Sequence, residues 1–454
     1  MGSPLQSFSD TVADWASQPV LTTTPEAYEA ARISLIDTLA CMIVGAREQQ
    51  PTAAREALLF GQEHGPILAI GGNEKLSLLG ATFLNGVRAH AIDFDDYEFP
   101  ASTHPSAALF AALFSLAQVL PLSLNQICDA WIVGYETIVW MGRALGFGHY
   151  DKGWHASATL DPIGTAAAAS RALGLTQQQM SNAMALATSS SSGLKRQFGS
   201  DTKAFHIGLA AENGLRAALL AQADATANTQ IWDAPQGFMD LYGAAGSVPF
   251  AEMMQTMALG HAVRIFPVAR KLWPSCSYTH RAILGAERLH RDVPDDDPII
   301  GIQVRLPEPF YRVACFHVPQ NEAEARFSVS YCTVVGLLTG HVTPEDFHPH
   351  RFNQPDRQRL AQLVEIDAYD LPPGDPGEFG PTTVETITVT LRSGRTLQTE
   401  TCDVPAVTLP ITREELVRKV TDCGASCDLV DTCLALDGKT ILSETGLLDA
   451  RQAV

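Results

Sequence analysis

The segment PEAYEAARISLIDTLACMIVGA, residues 25–46, decides the class of fold that this chain can adopt. Pro25 suits the first turn of a helix, Glu26 favours the positive end of the helix dipole, and Gly45 can end the helix. Asp37 lies within the apolar stripe, where we expect a paired core carboxylate rather than a catalytic one. The segment therefore predicts a long helix buried in a helical core.

The same Ala- and Leu-rich texture continues through the first 260 residues, and few stretches there alternate as strands do. We expect helices over seven further ranges: 52–61, 76–92, 106–120, 124–145, 161–173, 176–190 and 205–223. Together they predict one large all-helical domain over residues 1–266.

The texture changes beyond this domain. Residues 299–305, IIGIQVR, alternate like a strand, and residues 384–402 are typical of a β-hairpin. Helices are expected at 322–338 and 356–370. The sequence therefore predicts a separate α+β domain over residues 267–404.

Residues 405–454 return to a helical texture, and ITREELVRKVTDC opens with the cap-like Thr412. A helical tail after an α+β segment predicts that the smaller domain is an insertion and that the tail rejoins the large domain. The expected fold class is mainly α: a large all-helical domain with an inserted smaller α+β domain.

Charge and cysteine usage exclude several kinds of protein. The 454 residues carry a net charge of −19, which argues against general binding to nucleic acid or to an anionic membrane. Nine scattered cysteines without a CxxC pair indicate reduced thiols. The 24 uncharged residues between His104 and Asp129 are interrupted by Pro121, so we expect a core helix rather than a membrane span. With no secretory signal visible, a cytoplasmic protein is expected.

Residues 85–105, NGVRAHAIDFDDYEFPASTHP, concentrate groups that move protons near neutral pH. Five of them fall within fifteen residues: His90, Asp93, Asp95, Asp96 and His104. Helix spacing would put His90 and Asp93 on one face, and a loop can return His104 towards them. The alternative for an individual aspartate is that it caps a helix or pairs with an arginine. As a whole, the cluster predicts one wall of an active site.

Three other segments hold candidate groups. His155 follows Gly-Trp ahead of a helix, although a loop histidine bonded to backbone is the local alternative. Lys203 lies near a helix start, where its charge opposes the dipole and so suggests a specific role. The segment KLWPSCSYTH, residues 271–280, lies at the predicted domain junction, a usual position for a ligand cleft. Cys276 in this segment has no evident paired base, so we expect a buried thiol.

Several common catalytic motifs are missing from the sequence. It contains no glycine fingerprint for a dinucleotide, no Walker loop, no GxSxG and no HExxH. The histidines, lysines and aspartates above suit proton abstraction next to a carboxylate, with cations stabilising the enolate-like charge that develops.

Six segments, in order along the chain, resemble the MmgE/PrpD family, which includes 2-methylcitrate dehydratases, cis-aconitate decarboxylases and iminodisuccinate epimerases. These segments are ARISLIDTLACMIVGA, NGVRAHAIDFDDYEFPASTHPSA, GWHASATLDPIGTAAAASRALGL, TKAFHIGLAAENG, KLWPSCSYTH and EARFSVSY. The resemblance implies a helical domain built from both chain ends, an inserted α+β domain, a homodimer, and an active site in the cleft between domains. It also implies that no metal or organic cofactor is needed.

The resemblance places catalytic or substrate-binding groups at five matched positions: Asp93, His104, His155, Lys203 and Lys271. Lysines would bind carboxylates, Asp93 would orient a histidine, and either His104 or His155 would be the acid or base. Further substrate contacts are predicted at five other positions: Tyr97, Cys276, His280, Arg326 and Tyr331.

Two departures bear on the substrate. The decarboxylases carry Thr where Tyr97 stands and His where Cys276 stands, and the 2-methylcitrate dehydratases differ over 274–276. The chain is closer to the epimerase-like branch. We therefore expect a cofactor-independent enzyme that removes the proton α to a carboxylate of a small polycarboxylate. The expected reaction is epimerisation of an iminodisuccinate-type substrate. The alternatives are a 2-methylcitrate dehydratase-like or cis-aconitate decarboxylase-like lyase, and a non-catalytic binding protein that keeps the fold.

Overall fold

The computed structural model describes residues 7–17, 25–255, 262–371 and 383–449. Helices dominate the part before residue 266, apart from one short antiparallel pair of strands. The elements there are α1 Phe8–Ala16, α2 Pro25–Gly45, α3 Gln49–Phe60, β1 His64–Leu68, β2 Lys75–Leu76, α4 Leu78–His90, α5 Pro105–Ala117, α6 Leu124–Leu145, α7 Phe147–Asp151, α8 Ala156–Leu173, α9 Gln177–Ala187, α10 Thr202–Gln222, α11 Phe238–Tyr242, α12 Phe250–Met253 and α13 Ala262–Ile265.

The remainder combines a sheet with helices on its flank and ends in two helices. Its elements are α14 His280–His290, β3 Ile299–Pro307, α15 Glu308–Val313, α16 Glu322–Ala325, α17 Val329–Thr339, α18 Pro349–Phe352, α19 Pro355–Ala361, β4 Val364–Tyr369, β5 Glu385–Leu391, β6 Thr396–Thr401, α20 Arg413–Asp422 and α21 Asp428–Ala435. The predicted fold class, mainly α with a smaller α+β part, is confirmed.

The large core is built around α2, α4, α5, α6, α8 and α10. Every residue of α5 is buried, as its uncharged sequence requires. Among the described residues, no helix combines the length and apolar character that crossing a membrane would need.

Helices α4 and α10 approach each other closely through glycines. A Cβ on Gly86 would lie 2.8 Å from Cα of Gly208, so neither position tolerates a larger residue without a shift. Because the helices approach so closely, His90 at the end of α4 lies beside Lys203 at the start of α10. The crossing therefore positions part of the acid–base cluster.

The larger sheet has the strand order β4-β3-β5-β6. Strands β3 and β4 are parallel, whereas β5 is antiparallel to both β3 and β6. The predicted strand at 299–305 and hairpin at 384–402 are both confirmed. Helices α14 and α17 pack together beside the sheet, over a second hydrophobic core.

Two helix predictions in this region were wrong. The predicted helix at 356–370 ends at Ala361, and Val364–Tyr369 form β4 instead, because parallel pairing with β3 satisfies their backbone groups. The predicted helix at 322–338 is divided into α16 and α17. The side chain of Ser328 caps α17 by accepting from the amide of Tyr331, so a new helix begins there.

The helices near the C-terminus pack against the large domain. Leu416 and Val420 of α20 belong to the same core as Ile36 of α2. Nζ of Lys419 lies 2.5 Å from Oδ1 of Asp37, which confirms that Asp37 is a paired core carboxylate. The domain boundaries at residues 266 and 404 stay predictions.

Candidate active site

Asp93 is the centre of the acid–base cluster. Lys271 donates from Nζ to Oδ1 of Asp93 at 2.6 Å, and Lys203 donates to the same oxygen at 3.0 Å. Burial alone would raise the pKa of Asp93, but the two ammonium groups hold it well below its usual range. Two positive charges therefore share one carboxylate in a buried site.

The backbone of Asp93 is strained in a way that aims its side chain. Its φ is +54°, in the left-handed region that residues with a Cβ rarely adopt. Lys271 also donates to the carbonyl oxygen of Asp93 at 2.8 Å, and Lys419 donates to that of Phe94 at 2.6 Å. These two lysines, from distant parts of the chain, hold the loop that follows α4.

His90 joins Lys203 to a second aspartate. Its Nδ1 lies 2.8 and 2.9 Å from the two oxygens of Asp95, and its Nε2 lies 2.6 Å from Nζ of Lys203. A carboxylate can only accept, so Nδ1 carries the proton and Nε2 accepts from the ammonium group. Burial lowers the pKa of His90, so the ring is neutral and orients Lys203.

His104 precedes α5, and its environment fixes its tautomer. Its Nδ1 lies 3.1 Å from the carbonyl oxygen of Asp96, which can only accept, so Nδ1 carries the proton. Nε2 is left with a lone pair, 3.7 Å from Oδ1 of Asp93. Burial lowers the pKa of His104 to about 3, so the ring is neutral at pH 7. Asp96 itself accepts from Ser34 and Ser106 and has a structural role.

His155 precedes α8 and bonds to another histidine. Its Nδ1 lies 2.9 Å from Nδ1 of His206. Its Nε2 is enclosed and has no hydrogen-bond partner among the described residues. Burial and the nearby Lys203 hold the pKa of His155 well below its usual value. The ring is thus neutral, with one nitrogen available for a ligand.

A cavity of about 40 Å³ lies against these groups. All five predicted catalytic residues line it, together with Tyr97 and Cys276. Its full lining is Asp93, Tyr97, Phe99, Ser102, His104, Phe147, Tyr150, His155, Phe198, Lys203, Lys271, Cys276, Ser277, Tyr278 and Phe327. Burial raises the pKa of the Cys276 thiol to about 12, which agrees with the expected buried thiol and not with a nucleophile.

Three predicted substrate contacts do not reach this cavity. The Tyr331 hydroxyl donates to the carbonyl oxygen of Asp346 at 2.5 Å, in a hydrophobic cluster with Phe347 and Phe352. The Nε2 of His280 lies 3.3 Å from the carbonyl oxygen of Ser275. Arg326 donates to the carbonyl oxygen of Pro274 at 2.9 Å. These side chains satisfy backbone groups rather than facing the cavity, although Arg326 lines a neighbouring space of about 30 Å³ that Asp93 and Lys203 also border.

Sequence reasoning placed His90 and Asp95 in the acid–base cluster but gave neither a catalytic or substrate-binding role, and it gave His206 none. His90 and Asp93 are three residues apart, a spacing that already indicated a shared face. His206 follows Lys203 by one helical turn within TKAFHIG, so the same spacing rule could have found it. Nothing local links His206 to His155, because the two lie 51 residues apart.

Four donors of the cluster could hold a metal ion by distance alone. The ligand atoms of His90, Asp93, Asp95 and His104 lie within 4.8 Å of one another. The ammonium groups of the two lysines already contact Oδ1 of Asp93, and one also contacts Nε2 of His90. A metal ion there would have to displace these ammonium groups, so the donor set fits a lysine-bound site better than a metal site.

Two protein-family models match the chain. The model of the MmgE/PrpD N-terminal domain matches residues 10–250, and that of the MmgE/PrpD C-terminal domain matches residues 273–428. The chain belongs to the MmgE/PrpD family. The expected resemblance is therefore confirmed over most of the sequence.

Curated relatives narrow the comparison within the MmgE/PrpD family. The cis-aconitate decarboxylase of Mus musculus is 32% identical over 331 residues, which is 70% of this chain and 65% of that protein. The enzyme of the same name from Homo sapiens is 32% identical, over 70% of this chain and 66% of its own length. That from Aspergillus terreus is 28% identical, over 63% of this chain and 60% of its own. The chain thus spans less than two thirds of the length of each of these relatives. They support the lyase alternative better than the epimerase.

Proposed function

We propose that the protein is a cofactor-independent lyase that decarboxylates a small unsaturated tricarboxylate of the cis-aconitate type. This ranks the lyase above the epimerase that the sequence alone favoured, because the curated relatives named above are cis-aconitate decarboxylases. The observation that carries the proposal is the pair of lysines sharing Asp93 at the cavity wall.

The charges at this wall favour an anionic substrate. Among the groups that line the cavity, Lys203, Lys271 and Asp93 sum to one positive charge, and the histidines are neutral. The carboxylate of Asp95 bonds to His90 and does not line the cavity. In a buried site, this surplus attracts carboxylates more strongly than it would in water. The chain's net charge of −19 is spread over the whole sequence, whereas a bound ligand is nearest to the groups that line the cavity.

The same groups can stabilise the charge that decarboxylation creates. Breaking the bond between the methylene carbon and its carboxylate releases CO₂ and leaves an electron pair on that carbon. The pair spreads across the adjacent double bond to the carboxylate at its far end, where Lys203 or Lys271 stabilises it. A proton then adds to the carbon beside that carboxylate. The product is an unsaturated five-carbon dicarboxylate, and one proton is consumed for each CO₂ released.

His155 is the better proton donor of the two cavity histidines. Nδ1 of His104 is engaged as a donor to a carbonyl oxygen, so its Nε2 carries only a lone pair. His155 bonds through Nδ1 to a ring that can either donate or accept, so its Nε2 can carry a proton.

The cavity must widen before such a substrate binds. A cavity of about 40 Å³ holds roughly three waters, since each needs about 10–15 Å³. Its wall includes residues from both predicted domains, among them His155 and Phe327. Separation of these two walls would admit the ligand, and their closure would then exclude water from the charged intermediate.

Epimerisation of an iminodisuccinate-type substrate is the second candidate. It is favoured by the position of Tyr97 and Cys276, the two residues at which the chain departs from the decarboxylases, since both line the cavity. Epimerisation uses the same lysines to stabilise an enolate-like charge but consumes no proton.

One experiment separates these candidates. The protein is incubated in deuterated water with cis-aconitate, 2-methylcitrate or one enantiomer of iminodisuccinate, and each reaction is followed by NMR. The lyase predicts loss of CO₂ from cis-aconitate and one deuterium in the five-carbon product. Inversion of iminodisuccinate with α-deuterium would support the epimerase, and loss of water from 2-methylcitrate would support a dehydratase. No change in any substrate would leave the non-catalytic binding protein. A homodimer is part of the proposal, and sedimentation of the purified chain tests it.

A further inference from the structure

We propose that His206 is a positioning residue that works through His155, by fixing its tautomer and replacing the proton that it gives up. This role rests on the proposed function, because decarboxylation consumes a proton that His155 must supply. His206 does not line the cavity, but it bonds to His155, which does.

The contact between the two rings allows only paired tautomers. Their Nδ1 atoms lie 2.9 Å apart, so one nitrogen donates a proton and the other accepts it. Burial lowers the pKa of His206 to about 4 and that of His155 well below its usual value, so both rings are neutral. A neutral imidazole carries one proton, so a proton on Nδ1 of His206 requires that His155 carry its own on Nε2. That nitrogen is the one without a protein partner.

The surrounding structure holds both rings in this arrangement. The backbone amide of His155 donates to the carbonyl oxygen of Gly193 at 3.0 Å. The same glycine packs on the other ring, because a Cβ there would lie 3.3 Å from Cδ2 and Cε1 of His206. Phe198 meets the His155 ring edge-on, with the ring centroids 5.0 Å apart. One short segment thus fixes the distance between the two imidazoles.

A neutral imidazole is a poor acid unless its other nitrogen gains a proton as the first is lost. When Nε2 of His155 protonates the substrate carbon, the Nδ1 proton of His206 moves to Nδ1 of His155. His206 then takes a proton from water at Nε2, so each ring ends neutral and the net change is one proton delivered. When the cavity opens, water returns a proton to Nε2 of His155, the Nδ1 proton of His155 moves back to Nδ1 of His206, and His206 releases its Nε2 proton to water. Both rings then regain their starting neutral tautomers, and one proton has been consumed overall.

Exposure agrees with this direction of transfer. His155 is 1% exposed, whereas His206 is 8% exposed, so water reaches the second ring more easily than the first. The other titratable groups that face the pair are Lys203 on α10, His90 at the end of α4 and His104 directly before α5.

The first test substitutes His206→Asn in the full chain. The Asn amide can occupy the position of Nδ1 and keep a hydrogen bond to His155, but it cannot pass a proton on. With cis-aconitate we expect kcat to fall about 100-fold, the size of a general acid contribution, while KM stays within about twofold. The remaining activity should rise as pH falls, because His155 must then be fully protonated before it can donate. A wild-type kcat and pH profile in this variant would overturn the proposal.

His149→Asn is the matched control. His149 is also a buried imidazole, with Nδ1 2.9 Å from the carbonyl oxygen of Tyr242 and Nε2 2.8 Å from Oγ1 of Thr159, but it does not line the cavity. We expect this variant to lose stability and keep the wild-type pH profile. If it acquires the same pH profile as His206→Asn, the profile reports general loosening, and the proposal is overturned.

A second measurement does not depend on turnover. The chain has 13 histidines, and NMR of protein labelled with ¹³C and ¹⁵N in histidine distinguishes the two neutral tautomers. The signal of His155 is assigned from its loss in His155→Gln. We expect the Nε2-protonated tautomer in the wild type and a mixture of tautomers in His206→Leu. The opposite tautomer in the wild type, or no change in His206→Leu, would overturn the proposal even if no substrate were turned over. If the spectra are as expected but the protein has no activity on cis-aconitate, the result counts against the proposed function alone.

Discussion

Nζ of Lys271 lies 2.6 Å from Oδ1 of Asp93, although 178 residues separate the two in the chain. The contact joins the segment at the predicted domain junction to the strained residue that follows α4. Because Lys203 shares the same oxygen, removing either lysine leaves the other paired with Asp93, and the charged groups that line the cavity then carry no net charge.

Substitution of Lys271→Met therefore tests the charge of the site. We expect kcat/KM for cis-aconitate to fall by at least about 100-fold, since the lost ammonium group stabilises charge in the transition state. Lys439→Met, which removes an exposed lysine, is the control and should leave kcat/KM unchanged. Thermal unfolding of both variants separates a loss of chemistry from a loss of fold. A stable Lys271→Met protein with wild-type kcat/KM would contradict the assignment.

Removal of metal ions should leave activity unchanged. The oxygen of Asp93 that a metal would use already contacts two ammonium groups. We expect dialysis against EDTA to alter kcat by less than about twofold, and metal analysis of the dialysed protein to find less than stoichiometric metal. Loss of activity on dialysis, with recovery on adding back one divalent ion, would show that the ammonium groups give way to a metal.

The buried pair of Lys419 and Asp37 is expected to behave as a unit in unfolding. Removing one partner of a buried ion pair leaves an uncompensated charge and costs about 3–5 kcal/mol. Lys419→Met should lower the free energy of unfolding by about that amount, and Asp37→Leu in the same chain should restore most of it. Urea unfolding of the single and double variants measures the difference. If the single and double variants lose the same free energy of unfolding, the contact of Lys419 with the carbonyl oxygen of Phe94 contributes more to stability than the ion pair does.

His341 should make stability depend on pH. A hydrogen bond to Asp422 at 3.0 Å and the carboxylate of Glu287, 3.8 Å from Nδ1, raise its pKa to about 9. A histidine whose folded pKa exceeds its unfolded value of about 6.5 stabilises the fold fully below pH 6.5, and this contribution disappears as pH rises through 9. His341→Asn should therefore unfold at a lower urea concentration than the wild type at pH 6, and the two should converge above pH 9. If the difference in urea midpoint between the wild type and His341→Asn grows as pH rises, the raised pKa of His341 is contradicted.

Local patterns were sufficient for much of the fold. The predicted helix at 124–145 has the bounds Leu124–Leu145, with Ser123 and Gln126 forming a capping box at its start. The hairpin at 384–402 was visible because strand alternation has a period of two residues. β4 was missed because its partner β3 lies more than 50 residues earlier, so no local pattern distinguishes a parallel strand from the end of a helix.

The sequence named residues for the candidate site but could not give their contacts. Seven of the ten predicted site residues line one cavity, and three do not. His280 and Tyr331 lay in motifs of the same family, but their side chains turn towards backbone carbonyls of the smaller domain. A motif fixes where a residue lies along the chain, whereas packing fixes the direction in which its side chain points.

The sequence by itself determined the helical class, the family and the types of group that we propose for the chemistry, because these depend on periodicity and on residue identity. Only the tertiary structure decided that two lysines share Asp93, that Lys419 holds Asp37, and that His155 bonds to His206. Each of these contacts joins residues that are distant in the chain. Their protonation depends on burial and on a neighbour's charge, and neither exists until the helices pack.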